Sequence, residues 1–194
     1  MDRMSDEPTI KAIPTKFKGY TFRSRLEARW AVFFDALGLR WEYEPEGFDL
    51  PGVGWYLPDF HLPDLYCWIE IKGEYPSSDE EAKVLALANV VSETAFIFFG
   101  EIPYPTDVFG NSSGSRDENA IRYCLDGSVD YGYRWCICEK CGEIGIEYSA
   151  QSDNIGCCGY RHSDSDGENG NHPSLMAAFK AARSARFEHG ANGR

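Results

Sequence analysis

A stripe of large apolar side chains early in the sequence constrains the fold of this chain more than any other feature. Leu26, Trp30, Ala31, Phe33, Phe34 and Leu37 recur at three- and four-residue steps, the spacing that lines one face of an amphipathic α-helix. Gly38 stands just past them as a C-terminal stop. Three runs that follow, residues 40–44, 55–60 and 66–72, read as strands, because β-branched and aromatic residues dominate them and Pro and Gly fill the gaps. Ser77 or Ser78 then offers an N-cap to DEEAKVLALANVV, which has an acidic first turn and an apolar face and predicts a second helix. The run TAFIFF, residues 94–99, suits a strand buried on both faces. Helix, three strands, helix, strand is an α/β order with a mixed sheet.

The chain has 194 residues, of which 43% are hydrophobic and 14% aromatic, enough to bury a real core and incompatible with disorder. No apolar run approaches the roughly 20 residues of a bilayer span, and MDRMSDEPTIKAIP has no apolar signal core, so the expectation is a soluble, intracellular chain with no membrane partner. The net charge of −12 argues at first against nucleic acid. The average hides an asymmetry. Residues 11–40 hold Lys11, Lys16, Lys18, Arg23, Arg25, Arg29 and Arg40 against Glu27 and Asp35, a local +5, whereas residues 41–131 hold 4 basic and 18 acidic side chains, a local −14. A phosphate-tracking surface through Lys16, Lys18, Arg23 and Arg25, next to a carboxylate metal site, would give this pattern; a merely solvated charge run is the plainer alternative.

Beyond Gly100 the composition turns to Pro, Gly, Ser and Asp. The expected organisation is an N-terminal arm at 1–16, a core at 17–103, a loop or linker at 104–120, a cysteine-bearing segment at 121–172, and a closing helix and tail at 173–194. In that helix Leu175, Phe179, Ala182 and Phe187 can face the core, with Pro173 near its start and Gly190 past its end.

The chemistry concentrates in two places. In Trp-Ile-Glu-Ile-Lys, residues 68–72, the period of two puts Glu70 and Lys72 on one strand face and Ile69 and Ile71 on the other. Asp59, in Tyr-Leu-Pro-Asp-Phe, lies eleven residues before Glu70. If the two strands are neighbours, Asp59 and Glu70 can share a hard cation such as Mg²⁺, and Glu27 can add a third carboxylate from the first helix. Metal-assisted phosphodiester hydrolysis fits this set, with Lys72 orienting a water or stabilising developing charge. An ordinary Glu70–Lys72 ion pair and a turn-capping Asp59 are the structural alternative.

Together, Phe-Arg-Ser-Arg-Leu-Glu-Ala-Arg-Trp-Ala, Tyr-Leu-Pro-Asp-Phe and Trp-Ile-Glu-Ile-Lys-Gly resemble the PD-(D/E)XK nuclease superfamily. The likeness covers about residues 17–100. It is closest to small nucleases of actinobacterial tailed phages and more distant to the endonuclease subunit of heteromeric transposases and to phage junction resolvases. The resemblance implies a restriction-endonuclease-like core and Mg²⁺ or Mn²⁺ held by Asp59, Glu70 and the Ile71 carbonyl. It further implies Lys72 as the catalytic lysine, Glu27 as the accessory carboxylate, DNA as substrate, and the host cytoplasm as location if the chain is phage-encoded. The same fold serves many substrates, so it does not choose among linear, branched or RNA targets.

The second place is the cysteine cluster. Cys138 and Cys141 stand in Cys-x-x-Cys spacing before Gly142, and Cys157, Cys158 and His162 follow after fifteen intervening residues. Four of these five predict a structural Zn²⁺ in a zinc-ribbon-like segment, with Cys138, Cys141, Cys157 and His162 preferred because adjacent cysteines strain to reach one ion. Buried free thiols are the alternative. Cys136 reads as a strand thiol, Trp41, Tyr43, Trp55, Tyr56 and Trp68 as core aromatics, and His61 as a loop histidine. The resulting expectation is a Mg²⁺-dependent DNA endonuclease. Its rivals are a non-catalytic zinc-organised adaptor and a latent nuclease subunit needing a protein partner or a second copy.

Overall fold

A computed structural model describes residues 13–103, 120–148 and 172–187. Among them are three helices and a mixed sheet, an α/β arrangement. The chain opens with a hairpin of β1 (Thr15–Phe17) and β2 (Tyr20–Phe22), turned by Lys18 and Gly19, both at positive φ. Two such residues match the right-handed twist of paired strands. The arm-to-core boundary expected at residue 17 thus falls inside a hairpin whose Phe17 and Phe22 are buried. In α1 (Arg25–Ala36) the Ser24 side chain accepts the Glu27 N–H; Trp30, Ala31, Phe33 and Phe34 of the stripe are buried, Leu26 and Leu37 are half-buried, and Ala28 joins the buried face.

Next come β3 (Glu42–Tyr43), β4 (Phe48–Leu50), β5 (Gly54–Tyr56), β6 (Phe60–Leu62) and β7 (Cys67–Lys72). The expected strand at 55–60 is two strands. Pro58 has no N–H for a ladder, and the Asp59 carbonyl accepts Glu44 N–H instead, so β5 peels away to pair with β4 while β6 joins the sheet. The expected strand at 40–44 shortens to β3 because Glu44 is at φ 45°, and the one at 66–72 starts at Cys67 because Tyr66 is at φ 49°. The remaining elements are α2 (Ser78–Val91), β8 (Thr94–Phe99), β9 (Ala120–Tyr123), β10 (Val129–Tyr131), β11 (Tyr133–Ile137), β12 (Ile144–Tyr148) and α3 (Pro173–Ser184).

The six-stranded sheet runs β10-β9-β8-β7-β6-β3, with β7 and β8 parallel across the α2 crossover and the other pairs antiparallel. Its two faces carry separate apolar clusters. On one, Ile69, Ile71, Phe96 and Phe98 pack with α1, α3 and the β11–β12 ladder; on the other, Trp68, Ala95 and Ile97 pack with Val84, Leu87 and Ala88 of α2 and with Leu50 and Tyr56.

The segment expected at 121–172 does not stand apart among the described residues. Its first two strands, β9 and β10, extend the main sheet. Trp135 of β11 lies 5.8 Å from the Phe98 ring and 5.1 Å from Phe33, so the ladder shares the common core. Helix α3 buries Leu175, Phe179 and Ala182 as expected but ends at Ser184, short of Gly190, which lies outside the described residues; Phe187 is buried beyond the helix end. No helix of the described residues is long and apolar enough to cross a membrane.

Candidate active site

Strand register builds the site. Antiparallel pairing of Phe60 with Ile69 and His61 with Trp68 brings Asp59, the residue before β6, level with Glu70 on β7. The Asp59 carboxylate accepts the Ile71 N–H at 2.7 Å, taking the place of a ladder bond where β6 has run out. In an antiparallel hydrogen-bonded pair one residue directs its N–H and C=O to the same neighbour, so the Ile71 carbonyl shares this side of β7. Asp59, Glu70 and Glu27 are the buried carboxylates of the described residues.

Each carboxylate has protein donors. Glu70 takes the Tyr56 hydroxyl at 2.7 Å and the Lys72 ammonium at 2.9 Å. Glu27 takes the Tyr43 hydroxyl at 2.6 Å, the Ser24 hydroxyl at 2.6 Å and the Arg23 N–H at 3.1 Å, which makes it also the N3 partner of the α1 cap. The Arg23 guanidinium is ion-paired with Asp59, and its Nε lies 2.7 Å from Glu44 Oε1. Glu44 Oε1 is buried yet has no aligned hydrogen bond. Lys72 reaches Glu80 as well, at 2.9 Å. One network therefore runs from Glu27 through Arg23 to Asp59, and along β7 from Ile71 to Glu70, Lys72 and Glu80.

Electrostatics follow from this crowding. Burial, then the charges of Glu70 and Glu27, push Asp59 well above the usual carboxylate range, against the pull of Arg23 and the Ile71 N–H. Burial depresses Lys72, but Glu70 and Glu80 outweigh it and raise the ammonium above its ordinary value. Lys72 therefore stays protonated at neutral pH. It can stabilise an anion or hold a water and is not a general base. Burial and the neighbouring Glu70 raise the Tyr56 phenol, keeping it a donor.

The donor set fits a hard divalent ion. All its ligating atoms are oxygens, and three buried carboxylates repel one another in a way that a cation relieves. As arranged, however, no three His, Cys, Asp or Glu side chains of the described residues converge as a metal-holding group. The Arg23 guanidinium is the cation that compensates Asp59 among the described residues.

The expected phosphate contacts divide. Lys16 is exposed on β1 and Arg25 on the first turn of α1, and neither makes an ion pair among the described residues. Lys18 is paired with Asp35, Arg23 with Asp59 and Glu44, and Arg40 with Asp64 at 2.7 Å, so carboxylates from outside the segment offset part of the local +5. His61 belongs to β6, not a loop. Its ring stacks on Trp68 at 4.4 Å between Glu42 and Glu93.

Residues that sequence reasoning did not assign to the cluster are Tyr43, Tyr56, Glu44 and Glu80, and Arg23 has a different partner from the one expected. Only Glu80 left a local signal, the Ser77-x-x-Glu80 capping box.

At the other candidate site Cys138, the residue after β11, donates its N–H to the Glu143 carbonyl at 2.8 Å, and the Gly142 N–H returns to the Cys138 carbonyl at 2.8 Å with Gly142 at φ 77°. Cys138 is buried and Cys141 exposed. Cys136 sits inside β11, opposite Gly145, with its thiol pushed up by burial. Cys157, Cys158 and His162 lie outside the described residues. A scan against protein-family models, a search of curated proteins and a search of solved structures find no match to this chain.

Proposed function

We propose that the chain is a Mg²⁺- or Mn²⁺-dependent DNA endonuclease of the PD-(D/E)XK type. The observation that carries this reading is the register of β6 on β7, which brings Asp59, one residue before β6, level with Glu70, together with the Lys72 ammonium 2.9 Å from Glu70. Asp59, Glu70 and the Ile71 carbonyl would hold the ion. When bound, such an ion neutralises phosphate charge and lowers the pKa of a water. Lys72, held protonated by Glu70 and Glu80, stabilises charge that develops on the phosphoryl oxygens or orients the attacking water. Tyr56 fixes the Glu70 rotamer, and Tyr43 and the α1 cap fix Glu27. Zinc enters the same proposal as a structural ion on Cys138 and Cys141, completed by two of Cys157, Cys158 and His162; the Gly142 turn supports it.

A second reading has one observation in its favour. The ion pairs of Lys18, Arg23 and Arg40 withdraw three cations of the basic segment from phosphate, which suits a latent nuclease subunit, or a zinc-organised adaptor without catalysis, brought to DNA by a protein partner or a second copy.

Cleavage of labelled linear, single-stranded, flapped and four-way-junction DNA with Mg²⁺ or Mn²⁺ separates these readings. Wild type should cut at least one substrate, and Glu70→Ala and Lys72→Ala should bind it without cutting. A wild type that cuts none of them sinks the stand-alone nuclease and leaves the subunit or adaptor.

A further inference from the structure

Resting on the nuclease reading, we infer that Arg23 is a built-in counter-ion. Its guanidinium holds the place of the divalent cation beside Asp59 and turns out to a substrate phosphate when the cation enters. The geometry gives it a fixed pivot and a movable head. Its backbone N–H is held by Glu27 at 3.1 Å and by the Tyr43 hydroxyl at 3.0 Å, where β2 meets α1. The Arg23 side chain is 55% exposed, whereas the Asp59 carboxylate it reaches is 2% exposed. The head group therefore stands at the solvent edge of a buried acid and can leave without disturbing the core. Its second partner is the Glu44 carboxylate, whose Oε1 lies 2.7 Å from Nε without an aligned hydrogen bond.

Asp59 cannot serve both cations well. One of its oxygens is committed to the Ile71 N–H and the other to Arg23, and an ion sharing Asp59 with a guanidinium would meet a like charge at contact distance. A guanidinium released there would lie beside the metal, and its planar fork matches a phosphate in two-point contact. Metal and DNA binding would then be coupled through one side chain, each strengthening the other by the same factor.

The test uses the full chain and Mn²⁺ as probe. Wild type, Arg23→Ala, Arg23→Gln and Asp59→Asn are titrated with Mn²⁺ by calorimetry, and their melting is followed with and without the ion. Both Arg23 variants should melt lower than wild type without metal, bind Mn²⁺ about tenfold more tightly, and gain more in melting temperature from the ion. Asp59→Asn should lose the ion. In a Lys72→Ala background that cannot cut, Arg23→Ala should weaken binding of a labelled duplex when Mn²⁺ is present and leave it unchanged when absent. Unaltered or weaker Mn²⁺ affinity in both Arg23 variants, with Asp59→Asn still losing the ion, overturns the inference and spares the nuclease reading. A duplex-binding loss that is the same with and without Mn²⁺, or no loss in either, also overturns it. If Asp59→Asn binds Mn²⁺ as wild type does, or no form binds it, both readings fall together.

Discussion

The Tyr56 hydroxyl serves Glu70 Oε2, while the Lys72 ammonium serves Oε1. Tyr56→Phe keeps the ring that packs with Leu50 and Trp68 and deletes the donor. The expected loss is about 1–3 kcal/mol of stability in urea titrations, together with slower cleavage as the Glu70 rotamer loosens. An unchanged urea midpoint would show that the hydroxyl does not matter to Glu70. The difference between legible and illegible residues is physical. Asp59, Glu70 and Lys72 could be read from the sequence because a strand's period of two fixes which side chains share a face, and one assumption about pairing did the rest. Tyr43, Tyr56 and Glu44 could not, because their rings or stems are ordinary core and turn material and only the fold decides what their polar tips meet. Arg23 was legible as a cation but not as Asp59's partner, 36 residues away in sequence.

At the scale of elements, the N-terminus of α2 joins local capping to the site. Glu80 closes the box with Ser77 and also reaches Lys72. Burial pushes its carboxyl up, but the Ser77 N–H, the Lys72 ammonium and the Ser77 hydroxyl outweigh this and hold it at about 2, below its ordinary value of 4.5. A carboxyl depressed by folding stabilises the chain above its unfolded value and loses that contribution as pH falls through its folded one. Wild type should therefore lose melting temperature between about pH 4.5 and 2 more steeply than Glu80→Gln, and equal acid limbs would count against the cap. Helix limits were readable wherever caps are local, as at Ser24 and Ser77. The hairpin β1–β2 and the break at Pro58 were not, since a three-residue strand carries too little periodicity to be seen. Strand β11 adds a further test. Trp135→Ala removes a buried indole shared with Phe33 and Phe98 and should cost about 3–5 kcal/mol. Calorimetry should show the whole chain melting lower in one step, not a separate C-terminal transition.

For the whole molecule, the order of strands decides what can be cut away. Because β9 hydrogen-bonds to β8, a chain ending at residue 103 exposes a six-residue apolar strand as a sheet edge and should aggregate on expression, which sedimentation would detect. Net charge sets the binding regime. With −12 overall and only Lys16 and Arg25 of the four expected contacts outside ion pairs, DNA affinity should fall weakly with salt. The Lys16→Ala, Arg25→Ala double variant should flatten the slope of log K against log salt by about 2. An unaltered slope would place the phosphate contacts elsewhere. The mixed sheet was legible from the alternation of helix and strand runs. The sharing of one core by residues on both sides of 121 was not, because composition marks where a chain turns polar and not where it comes back to pack.

Helix α3 lies against α1, with Phe179 stacked on Phe33 at 4.7 Å, and it is the last element of the described residues, whereas α1 carries Glu27. The element that carries Glu27 is therefore braced by the one most distant from it along the described residues, so neither end of this core can be removed without loosening the other.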